Sequence, residues 1–493
     1  MTNNKVLVIG AGIAGMEASL MLAKAGKKVY LVEKNSYIGG NIIKYEDVFS
    51  NLECATFMIA PVQQEILENK NIEVLTLSEV IKVQGSYGDF SVKIKKKARY
   101  VSIQDCIGCN ACFGPCPVSL ENEFEEGLNQ RKAIYIPCAG ALPNVPRIDP
   151  ENCIRFKGQA CNACKEACMF EAIDYDGKDQ ELEINVESII IATGVAPLNP
   201  EKIPKYGYGL DDIYSALEFE IMNAGGNIVF KNKKPPESVA IVHCVGREEI
   251  GYCSKICCSY SSKFIKYLKD KIPAIKIHEI YYNLCTLKYK KERCNTNLIR
   301  VLDITIIEKN GIKTIDYQIE DGKKNSIQAD MVILLPAIEP SADAPELAEM
   351  LNISLDEKAF FAEKHVKLEP VSSSTEGIFI AGCAGGPKDI YDSVIQSEAV
   401  SGEILSSLVP GRKLEPEVKT SQVYEVFCTG CKTCLSVCSY SAISYDELKG
   451  ICKVNEVLCR GCGNCASACP SDAITHKHFT SRQIFQELIE ILK

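Results

Sequence analysis

The stretch KVLVIGAGIAGMEASLMLAKAGKKVYLVEK, Lys5 to Lys34, reads as strand, glycine turn, amphipathic helix and second strand. Gly10, Gly12 and Gly15 make G-x-G-x-x-G with Ala14 inside the turn, and the second strand ends in Glu33, followed by Lys34. Each position has a task in a dinucleotide fingerprint. Gly10 permits the tight turn, Gly12 lets the backbone approach a pyrophosphate, Gly15 allows close helix packing, and Glu33 is placed for a ribose hydroxyl. The start of the helix adds amide donors for phosphate. A structural glycine turn is the alternative, and the strand before the turn, the helix after it and the acid at the next strand's end argue against it together.

Working outward, SYIGGN at residues 36–41 follows Glu33 closely and carries the pair Gly39 and Gly40, then Asn41. This paired glycine after an acidic strand end resembles FAD-binding proteins of the two-dinucleotide-binding-domain class more than NAD enzymes. Two later segments resemble the same class: SIIIATGVAP, with Thr193 and Gly194, and GIFIAGCAGGPKDIYDSVIQSEAVSGEIL, with Gly382, Cys383, Lys388 and Asp389. The resemblance implies that the last segment closes the FAD domain with its helix near the isoalloxazine ring. Cys383 stands where the class has an acidic residue, so its ribityl contact departs from the class pattern.

At 493 residues the chain is long enough for several domains, and no apolar run approaches the ~18 residues of a spanning helix. The start passes straight into a strand without the basic and apolar regions of an export signal, so a cytoplasmic protein is expected. A net charge of -9 argues against nucleic acid as the main partner. Twenty-six cysteines in such a chain favour metal or redox roles over a disulfide framework.

The cysteines fall into runs. Cys106, Cys109, Cys112 and Cys116 stand in C-x2-C-x2-C-x3-C-P, which recurs as Cys459, Cys462, Cys465 and Cys469; Cys428, Cys431, Cys434 and Cys438 repeat it without the proline. The fourth run is spread out, with seven residues between Cys153 and Cys161, then Cys164 and Cys168. Three such thiolates on a tight loop hold three corners of a 4Fe-4S cubane, while the last cysteine, expected at the start of a short helix, ligates the neighbouring cluster. Crosswise pairing therefore groups Cys106, Cys109, Cys112 with Cys168, and Cys153, Cys161, Cys164 with Cys116, with the widely spaced Cys153 corner open to a local exchange of ligand; the tail is expected to follow suit. Zinc sites also use C-x2-C, but four quartets in two ferredoxin-like pairs argue against zinc. Among the cysteines left over, Cys138, Cys285, Cys294 and Cys452 read as buried inert thiols.

With KARYV before the first cysteine run, ENEFEEGLNQRKAIYIP within it, GYCSKICC and AGCAGGPKDIYDSV, the chain resembles HdrA, the flavin-bearing component of the heterodisulfide reductases of methanogens and their bacterial relatives, over essentially its whole length. The resemblance implies an α/β, thioredoxin-reductase-like two-dinucleotide-binding-domain flavoprotein with an inserted and a C-terminal bacterial-type ferredoxin (α+β) domain. The expected division is 1–100, 179–230 and 336–415 for the FAD domain, 101–178 for the inserted ferredoxin pair, 231–335 for a second Rossmann-like domain and 416–493 for the tail pair, with LEPEVKTSQ as its linker. The chain departs from longer members, which begin with an extra iron-sulfur domain, and from their Cys-x-x-Cys at ECATFMIAP, where Cys54 and Phe57 stand; Cys54 is either unpaired, which is the expectation, or one ligand of a site that a partner completes.

The second Rossmann-like domain shows HCVGREEIGYCSKICC, His243 to Cys258, where a nucleotide loop would lie. Cys244 at a strand end and Cys253, Cys257 and Cys258 at the next helix could meet there. In longer relatives this segment holds an atypical 4Fe-4S cluster, so the resemblance implies a fifth cluster on these four thiols; a reactive or structural thiol group is the alternative. Lys388 is either a cation beside the flavin or a surface lysine, and the resemblance favours the former.

Together these features describe an electron-transfer flavoprotein. A hub that splits or merges electron pairs between a disulfide-reducing branch and low-potential ferredoxin is the first expectation. An NAD(P)H-linked oxidoreductase like the glutamate synthase small subunit and a plain electron wire are the rivals. Partners implied by the resemblance are heterodisulfide-reductase B- and C-like subunits, ferredoxin, an input module built on a hydrogenase, a formate dehydrogenase or an NADH-using protein, and a second copy of the chain within the complex.

Overall fold

In the computed structural model, which describes residues 4–49, 52–226, 228, 234–285, 296–309, 311–407, 420–477 and 479–492, the fingerprint strand Lys5–Ile9 is the centre of a five-stranded parallel sheet. Across the sheet the strands run Ile378–Ile380, Ser188–Ile191, Lys5–Ile9, Lys28–Val32 and Ile72–Leu75. A parallel sheet covered on both faces asks for unbroken apolar runs rather than alternation, and KVLVI and SIII are such runs. One face packs on the helices Ile13–Lys24, Ala55–Glu68 and Ile390–Ser407. The other packs on the helix Ala344–Leu351 and an antiparallel sheet of Ser78–Ser86, Asp89–Lys96 and Gln180–Val186. Segments far apart in sequence thus build one domain, and everything between them is inserted into it.

A second five-stranded parallel sheet runs Ile213–Ser215, Met331–Pro336, Ser238–Val245, Lys276–Tyr281 and Asn297–Arg300. Its edge strand Ile213–Ser215 comes from the stretch that the sequence groups with 179–230; it is drawn here because its parallel partner is Met331–Pro336. The helices Ala216–Ala224 and Cys257–Lys271 pack on one face, through Phe219 and Phe264. The antiparallel strands Asp303–Lys309, Ile312–Gln318 and Lys324–Ala329 form a separate small sheet. The ladder of Ser238–Val245 is irregular between Val242 and Val245, where Cys244 takes φ 60. A non-glycine residue in that region is strained, and here the irregular backbone carries a thiol.

The inserted segment folds around short strand pairs, Ser119–Glu121 with Gln130–Lys132 and Ile134–Tyr135 with Arg147–Ile148, and a core that mixes Val101, Ile134 and Ile148 with Cys112, Cys116, Cys153 and Cys164. A second compact unit holds the last cysteine runs; its described residues pair Ser421–Val423 with Ile474–His476 and Ile443–Asp446 with Ile451–Val454. Ser421 and Gln422 of the expected linker are therefore strand residues, and residues before 420 of that stretch lie outside the described ones.

The short helices Ala163–Glu166, Thr433–Ser436 and Asn464–Ser467 contain the third cysteine of each run, Cys164, Cys434 and Cys465. This corrects the expectation that the last cysteine opens the helix: one turn is too short to contain both, so Cys168, Cys438 and Cys469 follow its end. Cys112 to Cys116 lies in turns alone. No helix among the described residues is long and apolar enough to cross a membrane.

Candidate functional site

The three glycines of the first turn are held by different constraints. Gly10 has φ 103, and a Cβ on it would stand 2.3 Å from Ala192 O; a Cβ on Gly15 would stand 1.9 Å from Gly10 O. At Gly12, the residue capping the helix Ile13–Lys24, a Cβ would meet nothing within 4 Å. The sheet and helix need the first and third glycines, whereas the second leaves open space at a helix N-terminus, where phosphate is favoured.

Gly39 and Gly40 fold back onto this turn. Gly39 N–H donates to Ala11 O at 2.8 Å, and a Cβ on Gly40 would stand 2.8 Å from the Gly12 Cα. Glu33 is buried and accepts from Ala11 N at 2.9 Å and from Asn35 N and Nδ2 at 2.8 Å. A carboxylate offers about four acceptor sites, so one remains for a hydroxyl. Burial nonetheless pushes its carboxyl up against these bonds. Lys34 is held on Asp343 at 3.0 Å and does not line the cavity.

That cavity is large and open to solvent, and Gly12, Ala14, Gly39, Asn41, Gly194 and Cys383 are in its wall. Asn41 Nδ2 donates to Val195 O at 2.9 Å, tying the glycine loop to the ATG turn. Thr193 Oγ1, beside Gly194, is buried with no hydrogen-bond partner, an orphan that a ligand's polar group would satisfy. Gly382 has φ 64, and a Cβ on it would stand 2.7 Å from the Ala14 Cβ; Asp389 Oδ1 accepts from Asp392 N at 2.8 Å, capping the helix Ile390–Ser407. Open glycine backbone, an orphaned hydroxyl and a cavity of this size fit a dinucleotide such as FAD.

Cations face the cavity. Lys388 is half-buried, with burial lowering its pKa, and its Nζ lies 3.5 Å from Gly386 O. Sequence reasoning missed Lys263, which is buried in the wall and donates to Glu220 Oε1 at 2.7 Å and Asp47 O at 2.9 Å. Its only sequence signal was a lysine on the inward face of an amphipathic helix, which is indistinguishable there from a snorkelling side chain.

Lys263, Tyr260 and Phe264 belong to the helix Cys257–Lys271, whose first turn holds two of the thiols in question. Cys244, Cys257 and Cys258 are buried together. Cys257 donates towards both neighbours, which lowers the Cys258 and Cys244 thiols, while its own pKa is driven up; His243 further lowers Cys258. Behind this group His243 Nε2 lies 3.2 Å from Glu279 Oε2, both fully buried, and Thr296 donates to Glu279 at 3.0 Å. Cys253 lies in the loop before the helix, and its sulfur is 3.2 Å from that of Cys285. Cys285 is exposed and belongs to this group, which corrects its reading as a buried bystander; it comes from the loop after Lys276–Tyr281, out of reach of any spacing rule.

The ferredoxin-like cysteines also gather in quartets. Cys106, Cys109, Cys112 and Cys168 line one small cavity, and Cys116, Cys153, Cys161 and Cys164 another. In the second unit Cys438, Cys459, Cys462 and Cys465 line a third. Cys428, Cys434 and Cys469 share its core with Cys452, whose buried thiol contacts Cys434; Cys431 is exposed. Among the described residues no three His, Cys, Asp or Glu side chains close on a single ion; the thiols ring spaces instead. Cys138 is half-buried with its thiol pushed up to about 12 by burial, Cys54 is half-buried before the helix Ala55–Glu68, and Cys294 lies outside the described residues.

Comparison with known proteins gives two family matches: FAD dependent oxidoreductase over residues 5–45 and 4Fe-4S dicluster domain over residues 427–473. Among curated proteins, the chain is 37% identical over 466 residues to the iron-sulfur A-type subunit of the CoB--CoM heterodisulfide reductase of Methanocaldococcus jannaschii, covering 90% of this chain and 70% of that one. It is likewise 37% identical over 509 residues to the corresponding A-type subunit of the H(2):CoB-CoM heterodisulfide,ferredoxin reductase of Methanothermobacter marburgensis, covering 99% and 76%. Among solved structures, T. acidophilum thioredoxin reductase aligns with a TM-score of 0.46 at 13% identity, covering 82% of this chain and 98% of that one.

Proposed function

The chain belongs to the HdrA family of the heterodisulfide reductases and is an FAD and iron-sulfur oxidoreductase, and from that premise we propose that it is a flavin hub splitting or merging electron pairs between a heterodisulfide-reducing branch and low-potential ferredoxin. The relatives' names pair a heterodisulfide with ferredoxin in one enzyme, which supports both branches. One observation carries the reading: the helix Cys257–Lys271 walls the cavity with Tyr260, Lys263 and Phe264 and begins with two thiols of the group that includes Cys244. A second neighbour of the cavity is Glu126 of the inserted segment, 3.5 Å from Lys44. Two cysteine-rich regions therefore border one cavity, and a hub needs more than one exit.

FAD supplies one- and two-electron chemistry when bound, and 4Fe-4S clusters supply one-electron relays. In this reading Gly10, Gly12, Ala14 and Gly15 shape the pyrophosphate cradle, Glu33 takes the ribose, and Gly39, Gly40, Asn41, Thr193, Gly194 and Gly382 close around the rest. Lys388 holds positive charge at the cavity and favours an anionic reduced ring, whereas the charge of Lys263 is met by Glu220 in the same wall. Four clusters take the ferredoxin-like quartets, paired crosswise, and a fifth takes Cys244, Cys253, Cys257 and Cys258. The partners are B- and C-like subunits, ferredoxin and an input module.

The rival NAD(P)H reading lacks the G-x-G-x-x-G that a nucleotide turn after the strand Ser238–Val245 would carry. Gly246 follows the strand where a nucleotide turn would begin, yet a Cβ on it would stand 2.0 Å from Leu198 Cδ2, so packing accounts for this glycine. Iron and sulfide analysis of anaerobically prepared protein should give five clusters, about 20 irons per chain, falling to about 16 in Cys257→Ala/Cys258→Ala. An unchanged count removes the fifth cluster. Anaerobic potentiometry then tests the hub: a single two-electron flavin wave is expected, whereas two widely separated one-electron waves in the ordinary order would leave a plain wire.

A further inference from the structure

Five thiols, not four, stand around the first turn of the helix Cys257–Lys271, and a cubane has only four irons to offer them. The surplus is at one corner. Cys253 and Cys285 sulfurs are 3.2 Å apart. The loop bearing Cys285 wraps the group: Asn283 O faces the Cys244 and Cys258 sulfurs at 3.8 and 3.9 Å, and Cys285 N–H points to Cys258 Sγ at 3.5 Å. Lys255 N–H donates to Cys253 Sγ at 3.3 Å, fixing the other side of the pair.

An iron of a cubane carries three sulfides and one thiolate, so two thiols 3.2 Å apart stand at one corner, and only one of them can bind it at a time. Cys244, Cys257 and Cys258, by contrast, are buried, and each is needed for a corner of its own. Cys285 is exposed, so the shared corner is the one open to solvent.

We propose that Cys253 and Cys285 are interchangeable ligands of the same iron in the fifth cluster, so that this corner, and no other, survives the loss of either thiol. The inference rests on the reading of Cys244, Cys257 and Cys258 as ligands. Exchange breaks one iron–thiolate bond, forms another, and passes a proton from the arriving thiol to the leaving thiolate, with no net electron moved. Its consequence is a cluster whose open iron changes ligand without falling apart, a property suited to a site that must be loaded, or retuned, after the fold has formed.

The test uses the full chain, prepared anaerobically, with Cys253→Ala, Cys285→Ala and the double variant, read by iron and sulfide content and by low-temperature EPR of the reduced protein. Each single variant should keep about 20 irons, with the fifth cluster's signal shifted in Cys253→Ala because its ligand has changed, and the double variant should drop to about 16 while keeping flavin absorbance and the other clusters. A drop to about 16 in either single variant overturns the proposal while leaving a fifth cluster in place. Retention of all irons in the double variant also overturns it. Only about 16 in the wild type would overturn the fifth-cluster reading itself, and the inference with it.

Discussion

At the scale of single residues, the fingerprint separates structural from ligand-facing glycines by what a methyl group would meet. Gly15 has Gly10 O at 1.9 Å from the Cβ position, so Gly15→Ala forces backbone apart and should cost about 1–3 kcal/mol or more, seen as loss of folded protein with or without flavin. Gly12 has φ -75, which alanine accepts, and open space beyond it. Gly12→Ala should leave apoprotein stability within about 0.5 kcal/mol of wild type. Its methyl group would occupy the cradle, so FAD affinity should fall at least tenfold, about 1.4 kcal/mol. Flavin titration of refolded apoprotein checks both, and wild-type affinity in Gly12→Ala would remove the pyrophosphate from this turn. The tight and open places of these glycines were legible in the sequence because they are set by backbone geometry within one strand, turn and helix. Lys263 and Cys285 were not, because each reaches its site through tertiary packing: one from the inward face of a helix, the other from the end of a neighbouring strand.

At the scale of elements, the inserted segment must be held against the flavin-binding sheet, and Arg99 does this from the KARYV stretch. It is 8% exposed, and its guanidinium donates to Val145 O at 2.8 Å in the insert, to Ser36 O at 2.7 Å in the glycine loop and to Thr76 Oγ1 at 2.9 Å. Three acceptors in different elements need the fork geometry of arginine. Arg99→Met would strand them in a buried place at about 1–3 kcal/mol each, and Arg99→Lys should recover little because an ammonium cannot span them. The expected result is flavin release at lower temperature and faster proteolysis at the insert junctions; a variant as resistant as wild type would show that the insert is held elsewhere. The crosswise grouping of cysteines was legible for a related reason, since runs of equal spacing must fold alike. The position of the short helices was not, because a four-residue helix leaves no periodicity to read.

At the scale of the whole molecule, residues up to Leu405 and residues from Ser406 onward are separate compact units, and their cores differ in kind. The first unit has continuous Val, Ile and Leu cores on both faces of its first sheet. In the second the buried cluster is Cys434, Cys452, Cys465 and Ile474, so cysteines make up most of it. A unit of this size with so little buried hydrocarbon cannot offset its conformational entropy by packing alone, and a bound cluster would supply the missing stabilisation as folding free energy. The helix Ser481–Ile491 adds nothing to that core, since Phe485, Leu488 and Ile491 are exposed on it. A chain ending after Ser407, which keeps the helix Ile390–Ser407 whole, should therefore fold, bind FAD as the full chain does and carry about 12 irons instead of about 20. Removing iron from the full chain with chelator and oxidant should melt the second unit while the first keeps its flavin, seen in calorimetry as loss of one transition and retention of the other. Loss of flavin on truncation would mean that the first unit's cores are not sufficient by themselves, and that the tail contributes to folding as well as to electron transfer.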